Sequence, residues 1–205
     1  MPASPARRRG LKPRAGKVNR KTRETDVALS LHLGPGAAAI STGVPFFDHM
    51  LEQLSKHGGM ALEVRAQGDL AVDAHHTVED VGIALGEALR QALVDKSGLA
   101  RYGDAVVPLD EALVEAVVDL SGRPHLTWNA NLPSGKKFIG TFDVDLTRDF
   151  FQALVNHAGL CLHVNVRYGR NLHHIVEAIF KACARALRAA TRLEGGGLPS
   201  TKGTL

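Results

Sequence analysis

Aromatic residues are scarce in this sequence, ten in 205 positions, and cysteines scarcer still, with two. So few aromatics leave no set of rings for stacking nucleic-acid bases. The cysteines, Cys161 and Cys183, stand in apolar segments without metal-ligand spacing or a secretory signal, so both are expected reduced and buried, which fits the cytoplasm. No run of 18 apolar residues exists, and a membrane-spanning helix is excluded on length. Acidic residues are absent before Glu24, where nine basic ones stand; removing those nine charges from a formal +4 leaves about −5 for residues 24–205. The folded body is therefore mildly acidic. The opening MPASPARRRGLKPRAGK has no apolar stretch to order it, and residues 1–17 are expected to be a flexible basic tail, with a transit peptide as the alternative.

What is present is periodic. Val27, Leu29, Leu31 and Leu33 alternate with polar residues, predicting a strand over residues 25–33 that Gly34-Pro35-Gly36 breaks. Pro45 suits a first helical turn, so a helix is expected from there to His57, stopped by Gly58-Gly59. Leu62 and Val64 resume a strand. From His75 to about Val94, Val78, Val81, Ala84, Leu85, Ala88 and Leu89 mark one helical face. Residues 105–132 read as strands around a Ser121-Gly122-Arg123-Pro124 turn.

The second half repeats the first. Leu54, His57, Gly59, Leu62 and Val64 match Leu154, His157, Gly159, Leu162 and Val164, and His75-His76 and Glu79 match His173-His174 and Glu177 after a two-residue deletion. Such self-similarity predicts an α+β domain of two pseudo-twofold-related repeats, about 18–97 and 98–195, each a small mixed β-sheet packed against two α-helices. Residues 196–205 form a C-terminal segment beyond them.

Two HHxxE motifs, His75-His76-Thr77-Val78-Glu79 and His173-His174-Ile175-Val176-Glu177, carry the chemistry. A lone copy reads equally well as solvated histidines at a helix start; two in matched positions do not. On a helix His76 and Glu79 share a face while His75 points elsewhere, so each helix chelates one ion and lends an imidazole to another. Two ions are implied, with Asp48-His49 a natural further donor. Imidazole with carboxylate and no thiolate favours Mn, Fe or Zn.

These residues resemble the imidazoleglycerol-phosphate dehydratase family in six ordered blocks: residues 20–25 (RKTRET), 41–51 (STGVPFFDHML), 75–80 (HHTVED), 119–124 (DLSGRP), 173–178 (HHIVEA) and 199–203 (PSTKG). The resemblance implies a ribosomal protein S5 domain 2-like fold. It implies a cytoplasmic lyase of histidine biosynthesis that converts D-erythro-imidazole glycerol phosphate to imidazole acetol phosphate and water, through a metal-bound imidazolate and a diazafulvene-like intermediate. Two Mn2+ per subunit would lie at the interfaces of a 24-chain homo-oligomer, with neither nucleic acid nor membrane as partner. One ion would be held by His49, His76, Glu79 and His173, the other by His75, His174 and Glu177, with Asp149 or a water in the last place.

For the phosphate, the family's positions fall on Arg101, Arg123, Lys181, Ser200 and Lys202, groups that make charge-assisted bonds to a dianion, and Thr201 between the last two is a further substrate-binding residue. Lys181 stands four residues after Glu177 and would also suit a plain helical ion pair. The resemblance makes Glu24 the leading acid/base, with Glu177 and His57 as the other catalytic groups. Glu24, His49, Gln53, His57, His75, Glu79 and His173 would touch substrate. Competing readings are a dinuclear metallohydrolase and an S5-like nucleic-acid-binding module using the basic arm.

Overall fold

The computed structural model describes residues 14–93, 96–133 and 137–203. The first half runs β1 (Ala15–Lys21), β2 (Thr25–His32), β3 (Ala38–Ser41), α1 (Pro45–Gly58), β4 (Ala61–Gly68) and α2 (His75–Ala92). The second runs β5 (Tyr102–Leu109), β6 (Ala112–Asp119), β7 (His125–Asn129), a small β8 (Phe138–Ile139) and β9 (Phe142–Asp143) hairpin, α3 (Leu146–Ala158), β10 (Cys161–Tyr168) and α4 (Leu172–Ala190). The sheets are ordered β1-β2-β4-β3 and β5-β6-β10-β7. In each, one strand pair is parallel, β3 with β4 and β7 with β10, and the remaining pairs are antiparallel. The two mixed sheets thus share one topology, as the internal repeat predicts.

Alternation builds the core. In β2 the side chains of Val27, Leu29 and Leu31 are buried and those between them mostly are not, so one face of the sheet meets the helices. Glycine sets how near they come. A Cβ on Gly16 of β1 would stand 2.0 Å from the carbonyl oxygen of Ala88 in α2, and one on Gly103 of β5 would stand 2.2 Å from that of Ala186 in α4. Neither position tolerates a side chain without moving helix backbone.

Between the halves, α1 lies against α4 and α2 against α3. The α2–α3 contact is again a backbone approach, with Gly82 and Gly86 under the carbonyls of Phe150 and Leu154. Fully buried rings seal the seam: Phe47 meets Phe150 edge-on with centroids 5.3 Å apart, and Phe150 stacks on Phe180 at 5.4 Å. Removing one such ring would cost about 3–5 kcal/mol.

Three expectations change. Strand β1 begins at Ala15, inside the stretch read as a flexible tail, because its alternate residues Gly16 and Val18 are buried under α2; residues 1–13 of that stretch lie outside the described residues. Helix α2 ends at Ala92, and Val94 lies outside the described residues. Cys161 is only half-buried, at the start of β10, with its sulfur 3.3 Å from the Arg123 carbonyl. Cys183 is buried as expected, and burial pushes its thiol pKa up. Among the described residues no helix is long and apolar enough to cross a membrane.

Candidate metal centre and active site

Helix α1 carries His49 in its first turns, and α4 carries His173 near its start and Glu177 one turn later. Proline at the beginning of α1 and a bond from the Thr42 amide to Asp48 Oδ1 at 2.9 Å fix how that helix enters. Asp48, a donor candidate beside His49, is thereby committed to Thr42. Where α1 and α4 meet, Glu177 Oε2 lies 3.0 Å from His173 Nε2 and 3.5 Å from His49 Nε2. Ligand atoms of these three residues all fall within 4.8 Å of one another.

Glu177 is 8% exposed, and its second oxygen receives Lys181 Nζ at 2.6 Å. Burial alone would raise the pKa of this carboxyl. The hydrogen bonds from Lys181 and His173, with the charges of Lys181 and His49, outweigh burial and hold it below the ordinary value. An ionised carboxylate beside two imidazoles, with no thiolate, suits a borderline or hard divalent cation.

The pseudo-twofold generates a second meeting of helices, where His75 at the start of α2 places Nδ1 3.5 Å from Asp149 Oδ2 in the first turn of α3. Asp149 is the counterpart of His49, and His75 that of His173. Glu79, the counterpart of Glu177, is exposed on α2.

The remaining histidines of the two motifs turn to acids, of which the sequence reading singled out Glu24 alone. His76 Nδ1 lies 3.0 Å from Asp69 Oδ2, just past β4, and its Nε2 is 3.8 Å from Glu24 in the β1–β2 turn. His174 Nδ1 lies 2.7 Å from Glu111 Oε2 in the β5–β6 turn, and its Nε2 is 3.7 Å from Asp110. The hydrogen bond to Asp69 raises the pKa of His76, and that to Glu111 raises His174. Glu111 is held down at about 2, first by His174 and then by the amides of Asn171 and Arg170.

One chain therefore brings together His49 with His173 and His75 with Asp149, as the resemblance groups them. It does not bring His76 and Glu79 to the first pair, and Glu177 stands beside that pair rather than with His75.

Of the expected phosphate contacts, Lys181 makes its helical ion pair while 17% exposed, so that pair is not a surface one. Arg101, in a left-handed conformation at φ 70, is clamped by Asp119 at 2.8 Å. Its Nη1 donates to the Pro199 carbonyl at 2.7 Å and so anchors the segment bearing Ser200, Thr201 and Lys202. In that segment the chain turns, and the Lys202 amide donates to Ser200 Oγ at 3.2 Å. Arg123 is exposed in its turn. Gln53 and His57 follow His49 along α1, both half-buried. Burial, then the charges of Lys181, Arg185 and Lys56, lower the pKa of His57.

Comparison with known proteins identifies the family. The family model for imidazoleglycerol-phosphate dehydratase matches residues 42–187. The imidazoleglycerol-phosphate dehydratase of Anaeromyxobacter sp. (strain K) is 80% identical over 200 residues, covering 98% of this chain and 96% of its own. The crystal structure of the Staphylococcus aureus enzyme superposes with a TM-score of 0.80 at 40% identity, over 87% of this chain and 99% of that one. The Pyrococcus furiosus structure gives 0.80 at 38% identity, over 92% and 100%. The chain belongs to the imidazoleglycerol-phosphate dehydratase family of hydro-lyases.

Proposed function

We propose that this chain acts in the cytoplasm, dehydrating D-erythro-imidazole glycerol phosphate to imidazole acetol phosphate with two Mn2+ ions per subunit, held between chains of a 24-membered assembly. One observation carries the reading: where α1 meets α4 the chain gathers His49, His173 and Glu177 into an incomplete donor cluster, and where α2 meets α3 it sets His75 beside Asp149. The α1–α4 end offers His49, His173, His174 and Glu177; the α2–α3 end offers His75, His76, Glu79 and Asp149.

Facing one copy's α1–α4 end with another's α2–α3 end completes both sets. His49 and His173 share an ion with His76 and Glu79 of the second copy, and His174 and Glu177 share the other with its His75 and Asp149. Glu177, resting against His49 and His173, then borders both ions. Closed, symmetric homo-oligomers of this kind bury such sites at their contacts.

Divalent ions bound there would supply the Lewis acidity that favours loss of the imidazole ring proton, so that the ring's own electrons can expel the hydroxyl. The chain's own groups supply the rest. Lys181 and Arg123, with Ser200, Thr201 and Lys202 on the segment that Arg101 anchors, hold the phosphate and fix the ring in place. Glu24, on an exposed turn 3.8 Å from His76, is the group placed to take the proton from carbon. That proton is returned to the departing hydroxyl, which leaves as water and is oriented by Gln53 and His57 on α1.

A dinuclear metallohydrolase would release inorganic phosphate from the same substrate, and family membership favours dehydration over that outcome and over nucleic-acid binding. Purified protein supplied with imidazole glycerol phosphate should form imidazole acetol phosphate, lose turnover on chelation and regain it with Mn2+. Undiminished turnover in metal-free protein, or phosphate release in place of dehydration, would remove the proposal.

A further inference from the structure

Chelation between copies requires more of His76 and His174 than proximity. An imidazole ligates through a bare nitrogen, so the proton must sit on the other one, and the ring must be held in plane with the ion. Both rings meet this condition inside a single chain. Two oxygens of Asp69 lie 3.0 and 3.1 Å from His76 Nδ1, and Glu111 Oε2 lies 2.7 Å from His174 Nδ1. A carboxylate can only accept, so Nδ1 donates in each pair, and in the neutral ring, the form that ligates a cation, Nε2 is then the nitrogen with the lone pair.

We propose that Asp69 and Glu111 are positioning residues, which fix the tautomer and plane of His76 and His174 and so present each Nε2 to a divalent ion. The inference rests on the metal reading above and extends it to two acids that neither motif contains.

Glu111 is itself held in place. Its Oε1 accepts from the amides of Arg170 and Asn171 at 3.0 and 2.7 Å, tying the β5–β6 turn to the entry of α4 while its other oxygen grips the ring. Asp69 reaches His76 from seven residues upstream, directly after β4, and leaves the opening of α2 to Asp73, which accepts from the His75 amide at 2.7 Å. The two halves therefore reach one arrangement from different loops: Asp69 stands after β4, whereas Glu111 stands in the hairpin before β6. Inheritance of a duplicated loop does not produce that pattern; a shared demand on the second histidine of each motif does.

The test is Mn2+ uptake by full-length protein stripped of metal, followed by the electron paramagnetic resonance signal of free Mn2+, with visible spectra of the Co2+ form beside it. Asp69→Ala and Glu111→Ala should each weaken binding by about 10–100-fold and change the Co2+ spectrum. Asp69→Asn and Glu111→Gln keep an acceptor oxygen and should recover most of the loss. Should an alanine variant fail to fold, Asp69→Leu and Glu111→Met preserve the volume without an acceptor, and the same weakening is expected.

Alanine variants that melt earlier yet bind Mn2+ within twofold of the parent, with an unchanged Co2+ spectrum, would overturn the proposal. A parent protein that takes up no Mn2+ would overturn the metal reading itself, a separately visible failure.

Discussion

The two halves of this chain share a strand order and a helix order but not a chemistry. Where α1 presents His49, α3 presents Asp149; where α2 receives its orienting acid from the loop after β4, α4 receives it from the β5–β6 hairpin. Their strand-to-helix contacts match closely, Gly16 under Ala88 and Gly103 under Ala186, whereas their contacts across the seam differ. Glycines 82 and 86 bring α2 onto α3, while at the corresponding positions α4 carries Phe180 and Ala184. Packing between sheet and helix is constrained everywhere by the backbone, so it survives in both copies. Loops carry no such constraint, and there the halves have been free to diverge.

Breaking the comparison at its centre gives the largest effect. Glu177→Gln leaves the shape intact but removes the charge that on the proposed reading borders both ions, and turnover should fall by at least about 1,000-fold, with metal content reduced. Steady-state kinetics with elemental analysis checks it; near-normal kcat with full metal would be incompatible with the site. Next come the glycines common to both halves. Gly16→Ala and Gly103→Ala should each cost about 3 kcal/mol or more, by similar amounts, because the same clash is built twice. Denaturant titration of each variant measures this, and a harmless Gly103→Ala beside a damaging Gly16→Ala would break the equivalence.

A smaller effect is expected from making the halves alike. Asp149→His should retain turnover within about tenfold, because an imidazole is a competent donor there, while His49→Asp should lose far more. Parallel assays of the two variants decide it, and equal losses would count against the pseudo-twofold reading of the donors.

The smallest effect concerns Glu111, whose carboxyl is held at about 2 against an ordinary 4.5. A depressed carboxylate contributes stability that is complete above its unfolded value and is lost as pH falls through its folded one. Metal-free protein should therefore lose stability between pH 4.5 and 2 more steeply than Glu111→Gln does. Acid unfolding followed by circular dichroism compares the slopes, and identical curves would contradict the assignment.

Much of the fold is legible in the sequence because it is local. Alternation in residues 25–33 marks β2, Pro45 and Gly59 bracket α1, and the spacing of His75, Val78, Val81 and Leu85 draws the face of α2. The start of strand β1 is not legible, since residues 15–17 read as tail and only the approach of α2 makes Gly16 and Val18 buried. At the site, the paired motifs announce a metal, and i, i+4 spacing joins His173 to Glu177. Contacts made through space leave no local trace: His49 with Glu177 spans two halves, and Glu111 reaches His174 across 63 residues. An isolated acid in a turn looks like any solvated loop residue until the fold delivers an imidazole to it.

The central claim, that ions are shared between unlike ends of neighbouring copies, is tested most directly by complementation. A His49→Ala/His173→Ala protein lacks a working α1–α4 end, and a His76→Ala/Glu79→Ala protein lacks a working α2–α3 end; each alone should be inactive. Unfolded together in equal amounts and reassembled with Mn2+, they should regain about a quarter of the parent's activity, because one pairing in four joins two intact ends. A mixture that assembles fully and stays inactive would show that each chain must complete its own site, and the account would fail.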